Sequence, residues 1–148
     1  MKLEGKYTIP APRETVWTRL LDPVTLARAL PGCEKLEPNP DGSFSADLKV
    51  GIGAVRGMYH GRVEILDPHP PESYRMKVEG KGTGGFMKGE GMLTLSEDGA
   101  ATVIAYSGEA QVGGVIASVG QRLLESAGRQ IAGKFFEAFA QQVKAAGS

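Results

Sequence analysis

From Gly42 to Ala110 the chain alternates apolar and polar residues with a period of two, the signature of half-buried β-strands. Phe44, Ala46, Leu48 and Val50 interleave with Ser43, Ser45, Asp47 and Lys49. Val55, Gly57, Tyr59, Gly61, Val63 and Ile65 keep the same rhythm, as do Tyr74, Met76, Val78 and Gly80. Met87, Gly89, Gly91, Leu93 and Leu95 follow, and a last strand runs from Ala101 to about Ala110. Asp67 to Pro71 (DPHPP) reads as a loop, and Glu97-Asp98-Gly99 as a hairpin turn. Links this short make successive strands antiparallel neighbours.

The flanks have other rhythms. Leu3, Gly5, Tyr7 and Ile9 alternate with charged or polar residues as one more strand, which Pro10 and Pro12 end. Val16, Trp17, Leu20 and Leu21 have helical spacing, with Pro12 suited to the first turn. Asp22-Pro23 opens a second short helix with Val24, Leu26, Ala27 and Leu30 as its apolar side, and Pro31-Gly32 stops it. Cys33 to Leu36 is expected to be a short strand entering a turn at Asn39-Pro40-Asp41-Gly42. At the other end, Val112 to Val143 reads as one long amphipathic helix, with Val119, Leu123, Ala127, Ile131, Phe135, Phe139 and Val143 at every fourth position. Such a ladder drifts by about 40° per step, roughly 240° in all. The helix is therefore expected to bend near Gly128 or Gly133, or to serve a different surface with each end.

At 148 residues the chain is expected to be a single domain, 1–148, with a real core. Its 17 acidic and 17 basic side chains are spread evenly along the sequence, which argues against a nucleic-acid footprint. Cys33 is the sole cysteine, so no internal disulfide is available and a reducing compartment fits. The first residues, MKLEGKYTIPAP, lack the apolar stretch of a secretory signal, and no run reaches the roughly 18 apolar residues of a membrane span. A soluble, cytoplasmic protein is expected.

Glycine changes the picture. There are 21, about twice the usual share of roughly 7%. Gly57, Gly61, Gly80, Gly89 and Gly91 fall on strand faces that should point at the helix, where a packed core would want Val, Ile or Leu. They let a sheet curl, and they also leave volume unfilled that a ligand must then occupy. Both effects together keep an apolar cavity open.

Catalytic signals are weak by comparison. Gly80-Lys81-Gly82-Thr83-Gly84-Gly85 fits G-x-G-x-x-G, but a strand follows it where a dinucleotide site needs a helix, so it reads as a turn. His60 and His69 are too far apart to be metal ligands together, and no Ser/His/Asp or Cys/His grouping can be assembled, so no metal, cofactor or catalytic residue is assigned. Glu90, between two glycines, reads as a solvent-facing strand residue, and Cys33 as a small buried hydrophobe.

Three segments resemble the family of the carbon monoxide dehydrogenase G subunit, within the START-like (SRPBCC, helix-grip, Bet v 1-like) superfamily. They are Leu30-Pro31-Gly32-Cys33-Glu34, the glycines of Gly51 to Gly61 and Gly80 to Gly91, and Gln111-Val112-Gly113-Gly114 leading into Ile116 to Leu124. The resemblance implies an α+β helix-grip fold: a curved seven-stranded antiparallel sheet around a long C-terminal helix, with two short helices after the first strand. It implies an accessory role for a molybdenum-containing carbon monoxide dehydrogenase or related hydroxylase, through membrane recruitment or carriage of a hydrophobic molecule such as a quinone. Many members continue into a membrane-binding tail, whereas this sequence stops at Ala145-Ala146-Gly147-Ser148, which counts against a tail anchor here.

The expected function is thus non-catalytic binding of a quinone- or lipid-like molecule, with hydroxylase subunits as partners and peripheral membrane association as a further expectation. The expected lining is Trp17 and Leu30 from the short helices, Tyr59, Met76 and Met87 from the sheet, and Val119, Leu123 and Ala127 from the long helix, with the ligand in the half nearer Gly114. Two alternatives stand beside it. One is a cyclase- or dehydratase-type enzyme using Glu90, His60 or Tyr59; the other is a pure interaction module in hydroxylase assembly or membrane recruitment.

Overall fold

A computed structural model describes residues 1–53 and 55–147, with side-chain surroundings up to Lys144. The elements run β1 (Lys2–Ile9), α1 (Arg13–Leu20), α2 (Pro23–Ala29), β2 (Cys33–Pro38), β3 (Phe44–Ile52), β4 (Val55–His69), β5 (Ser73–Gly82), β6 (Gly85–Asp98), β7 (Ala101–Gly113), a 3-10 turn (Val115–Val119) and α3 (Gln121–Gly147). The strands form one antiparallel seven-stranded sheet in the order β1-β7-β6-β5-β4-β3-β2. This is the helix-grip arrangement that the family resemblance implies.

The short helices begin where local chemistry dictates. Asp22 caps α2 by accepting hydrogen bonds from the backbone N–H of Thr25 (3.1 Å) and its hydroxyl (2.6 Å), and Pro23 occupies the first turn, where no N–H is required. Those bonds hold the Asp22 carboxyl below its usual range. The buried face of α2 is Thr25 and Ala29, one turn apart, with Leu26 and Leu30 half-buried and Val24 exposed. The apolar side differs from the expected one because the capped Thr25 satisfies its hydroxyl internally and so tolerates burial. After α2, Gly32 takes a left-handed φ of +72° and lies so close to β3 that a Cβ would overlap the Lys49 carbonyl oxygen. The Leu30-Pro31-Gly32-Cys33 segment is therefore a docking joint: Gly32 O accepts from Lys49 N at 2.8 Å.

Two further boundaries differ from the sequence reading. β4 continues through Asp67 and Pro68 to His69, because an irregularity between Leu66 and His69, with Asp67 at φ +48°, absorbs the mismatch with β5. The long helix does not begin at Val112. β7 runs to Gly113, Gly114 reverses the chain at φ +85°, a 3-10 turn follows, and α3 starts after Gly120 (φ +101°). Val119 thus lies outside the helix. The buried positions on α3 are Leu124, Ala127, Phe136, Phe139 and Val143, with Ile131 and Phe135 half-buried. Leu124 and Ala127 in the first half of α3 lie outside the packed core, whereas Phe136, Phe139 and Val143 in the second half belong to it, so the two ends of the helix serve different surfaces. Gly128 and Gly133 serve close approach to β1: a Cβ at Gly128 would lie 2.8 Å from Leu3, and one at Gly133 would lie 3.4 Å from the Tyr7 hydroxyl.

The packed core lies at one end, between α1, the second half of α3 and the adjoining ends of the strands. Ile9, Val16, Trp17, Leu20, Tyr74, Leu93, Leu95, Ile104, Phe136, Phe139 and Val143 form one cluster. Phe136 stacks on Tyr7 (4.6 Å between centroids) and Tyr106 (5.6 Å), and Trp17 tilts onto Tyr74 at 5.6 Å. Ile52, Leu124 and Ala127 are also buried but fall outside this cluster.

A hollow between helix and sheet as the candidate site

Between those two buried groups the inner face of the sheet is bare. Register places Ala46, Gly61, Gly80, Met87 and Val112 side by side in one row, and Phe44, Val63, Val78, Gly89 and Ala110 in the next. A Cβ built on Gly80 would meet nothing within 4 Å, and one on Gly61 would meet only carbonyl oxygens of adjoining strands, at 3.6 and 3.9 Å. Leu48, Tyr59, Val63, Val78 and Met87 stay half-exposed although they face inward, as does Ile131 on α3, while Ile65, Met76 and Phe135 pack against the edge of the core cluster. The surface area says the same: 8422 Å², about 1,200 Å² more than the roughly 7,250 Å² expected of a compact 15.6 kDa monomer.

The glycines divide into two kinds. Gly61 and Gly80 leave space open, whereas Gly82 and Gly84 make room for Tyr59. A Cβ at Gly82 would lie 2.7 Å from the Tyr59 ring, and one at Gly84 would lie 2.8 Å from its hydroxyl. Gly84 also anchors the 3-10 turn, its carbonyl accepting from Ile116 N at 2.7 Å. Tyr59, the β5–β6 turn and the β7–α3 link therefore meet at the end of the sheet opposite the packed core, and this end is the mouth of the hollow.

The side chains expected to line a site are distributed as follows. Tyr59, Met76 and Met87 lie on the inner face, with the Met76 methyl 3.7 Å from the Cβ position of Gly91. Ala127 is buried on α3, Leu30 is half-buried at the end of α2, and Val119 is half-buried in the 3-10 turn. Trp17 sits in the packed core. Leu123 is 57% exposed at the start of α3, beside Val115 at 76%. Gly61 and Gly80 are among the small inward residues expected from the alternation, and cross-strand register adds Val63 and Val78 as their neighbours.

Along the floor, from Phe44 to Ile52 of β3, Val55 to Ile65 of β4, Tyr74 to Gly82 of β5 and Met87 to Leu95 of β6, the inward positions carry no carboxylate, ammonium, guanidinium or imidazole. Their polar groups are the phenols of Tyr59 and Tyr74, and the inward Glu97 lies beyond, at the core end, paired with Arg13. Tyr74 is 5% exposed, and burial pushes its phenol well above the ordinary range. Glu90 and His60 both lie on the outer face, where Glu90 pairs with Lys77 at 3.8 Å and His60 Nδ1 is 2.6 Å from Asp47. Cys33 is half-buried instead of fully buried, and burial raises its thiol pKa. Among the described residues no group of three or more His, Cys, Asp or Glu is placed to hold a metal ion.

The outer face has its own concavity of about 770 Å³, bordered by Lys2, Glu4, Arg75, Glu90, Met92 and Glu109. It is an open, charge-lined trough, unlike the apolar floor inside. Charge is also less even in space than along the sequence. Lys49, Arg56, Lys81 and Arg122 are exposed around the mouth, with no carboxylate within 4.0 Å among the described residues. Asp67, Glu72, Glu97 and Asp98 gather in the turns at the opposite end. Among the described residues, no helix is long and apolar enough to cross a membrane.

A curved sheet gripping one long helix over an unfilled apolar floor defines a START-like helix-grip protein. The chain belongs to the CoxG family, that of the carbon monoxide dehydrogenase G subunit, whose model matches residues 5–144. A conserved protein from Geobacillus kaustophilus is 32% identical, with 97% of this chain and 95% of that one covered at a TM-score of 0.93. A START superfamily protein from Mycobacterium smegmatis, 12% identical over 97% of each chain, shares the fold at a TM-score of 0.74. The Zhui aromatase/cyclase from Streptomyces sp. R1128, 18% identical over 97% of this chain and 93% of that one, does so at 0.72. No curated protein matches the chain in sequence.

Proposed function

We propose that this protein is a non-catalytic carrier of a neutral, hydrophobic small molecule, quinone- or lipid-like, acting as an accessory to a carbon monoxide dehydrogenase or related molybdenum hydroxylase. The observation that carries the reading is the open floor at Gly61 and Gly80, bordered by half-exposed inward side chains of Leu48, Tyr59, Val63, Val78 and Met87. Interiors pack to about 0.74 density, so a row of missing side chains facing apolar ones supports a ligand that completes the core. The absence of charged side chains on the inward positions flanking Gly61 and Gly80 favours an uncharged guest, since an ion there would lack a partner. Met76, Met87, Tyr59, Leu30, Val119 and Ala127 remain the lining of this proposal, with Leu123 at the entrance and Trp17 supporting the far wall.

The mouth supports peripheral association with an anionic membrane, from which such a guest would be exchanged. Met58 (44%), Phe86 (42%), Val115 and Leu123 are exposed there among Lys49, Arg56, Lys81 and Arg122. Apolar side chains ringed by cations suit the interface of an anionic bilayer. Native mass spectrometry of gently purified protein, with solvent extraction of what it carries, tests the carrier reading. A stoichiometric apolar molecule is expected; a chain that is empty and takes up no added quinone or lipid overturns it. An empty chain that still co-purifies with hydroxylase subunits would favour the pure interaction module.

A further inference from the structure

We propose that the Tyr59 hydroxyl is the hydrogen-bond donor that holds the polar end of the carried molecule at the mouth, with the apolar remainder lying over Gly61 and Gly80. The proposal rests on the carrier reading and adds an orientation and a residue to it.

Of the polar side chains on the inward positions of β3 to β6, Tyr74 is locked against Trp17 in the packed core and Glu97 pairs with Arg13 at its edge, which leaves Tyr59 as the one beside the open row. Tyr59 borders the open row directly: it pairs with Leu48 and Gly82, one inward step along β4 from Gly61. The local backbone is cut to hold its ring. Gly82 and Gly84 could not carry a side chain without striking the ring or the hydroxyl, and the Cβ position of Gly57 lies 3.9 Å from the ring. Among the described residues the hydroxyl has no hydrogen-bond partner, so folding commits these glycines to a phenol whose oxygen the protein itself leaves free.

The chemistry defines what it would take. A phenol donates one hydrogen bond and, with no base beside it, suits a neutral acceptor such as a carbonyl or ether oxygen. At the mouth, water satisfies the hydroxyl before binding, and the ligand oxygen replaces that water on entry. An apolar guest with no acceptor gains nothing from Tyr59. The residue thereby selects a polar-headed guest over a pure hydrocarbon, and it sets head outward and tail inward.

Two probes of matched shape test this: 1,4-naphthoquinone, which carries carbonyl acceptors, and naphthalene, which carries none. Calorimetric titration of the wild type is expected to favour the naphthoquinone. Tyr59→Phe, which removes only the oxygen, should weaken naphthoquinone binding about five-fold and leave naphthalene unchanged. Tyr74→Phe should leave the ratio as in the wild type. If both probes bind and Tyr59→Phe preserves the preference, the Tyr59 role is wrong while the carrier reading stands. If Tyr74→Phe abolishes it instead, the head points inward and the proposal is overturned. If neither probe binds the wild type, the carrier reading falls and this inference falls with it.

Discussion

Gly80 and Gly82 lie two residues apart on the same strand and face, yet valine should have opposite effects at the two positions. At Gly80 an added Cβ meets nothing within 4 Å, whereas at Gly82 it overlaps the Met58 carbonyl oxygen and comes to 2.7 Å from the Tyr59 ring. Glycine inside a strand costs roughly 0.5–1 kcal/mol relative to alanine, and β-branched residues suit strands better still. Gly80→Val should therefore stabilise the fold by about 1 kcal/mol, raising Tm by about 3 °C for a chain of this size. Gly82→Val must move backbone and should cost about 2 kcal/mol or more. The stabilised Gly80→Val protein should bind its guest about ten-fold more weakly, because the new side chain occupies the guest's floor. Urea unfolding followed by circular dichroism gives the stabilities, and titration with 1,4-naphthoquinone gives the affinity. Destabilisation by Gly80→Val would show that the floor is already covered. A stabilised variant with undiminished binding would place the ligand elsewhere.

Other outcomes follow from the same geometry. Gly32→Ala should lose about 2 kcal/mol or more in chemical denaturation, since it combines a left-handed φ with a Cβ that overlaps the Lys49 carbonyl oxygen; a neutral substitution would refute the docking role of this joint. The Asp41 carboxyl, bonded first by the Ser43 hydroxyl, then by the Ser43 N–H and Arg62, is held down to about 2. Its folded value lies below the unfolded one, so its contribution is fully present above about pH 4 and is lost as pH falls through about 2. Carbon-detected NMR should find that midpoint, and a midpoint near 4 would show that the turn network does not persist in solution. Replacing Lys49, Arg56, Lys81 and Arg122 by glutamine should abolish sedimentation with phosphatidylglycerol vesicles while leaving phosphatidylcholine vesicles unbound as before. Unchanged sedimentation would remove the mouth as the membrane-facing surface.

The strands were legible because a period of two depends only on which face is wet. α2 was legible because Asp22-Pro23 is cap chemistry. The start of α3 was not: a 3-10 turn has nearly the same apolar rhythm as an α-helix, and the break is made by the backbone angles of Gly114 and Gly120. The continuation of β4 through Asp67 and Pro68 was masked by residues that ordinarily make loops. Within the site, the alternation identified Tyr59, Met76 and Met87 as inward, but it could not separate an open glycine from one lying under a tyrosine. Gly80 and Gly82 look alike along the chain, and only the neighbouring strand distinguishes them. The basic mouth was hidden for a similar reason. Lys49 and Lys81 lie near the ends of β3 and β5 and Arg122 in the first turn of α3, positions distant in sequence whose common end of the fold only the topology reveals.

The most direct test of the hollow uses the methionine methyl groups. Met76 and Met87 face the floor between helix and sheet, while Met58 and Met92 sit on the outer face, each 44% exposed, and Met92 borders the charged trough. With 13C-methyl methionine, addition of 1,4-naphthoquinone should shift the Met76 and Met87 resonances and give intermolecular nuclear Overhauser effects to them, leaving Met92 unmoved. Shifts confined to Met92 and Met58, with Met76 and Met87 silent, would contradict a ligand held between helix and sheet.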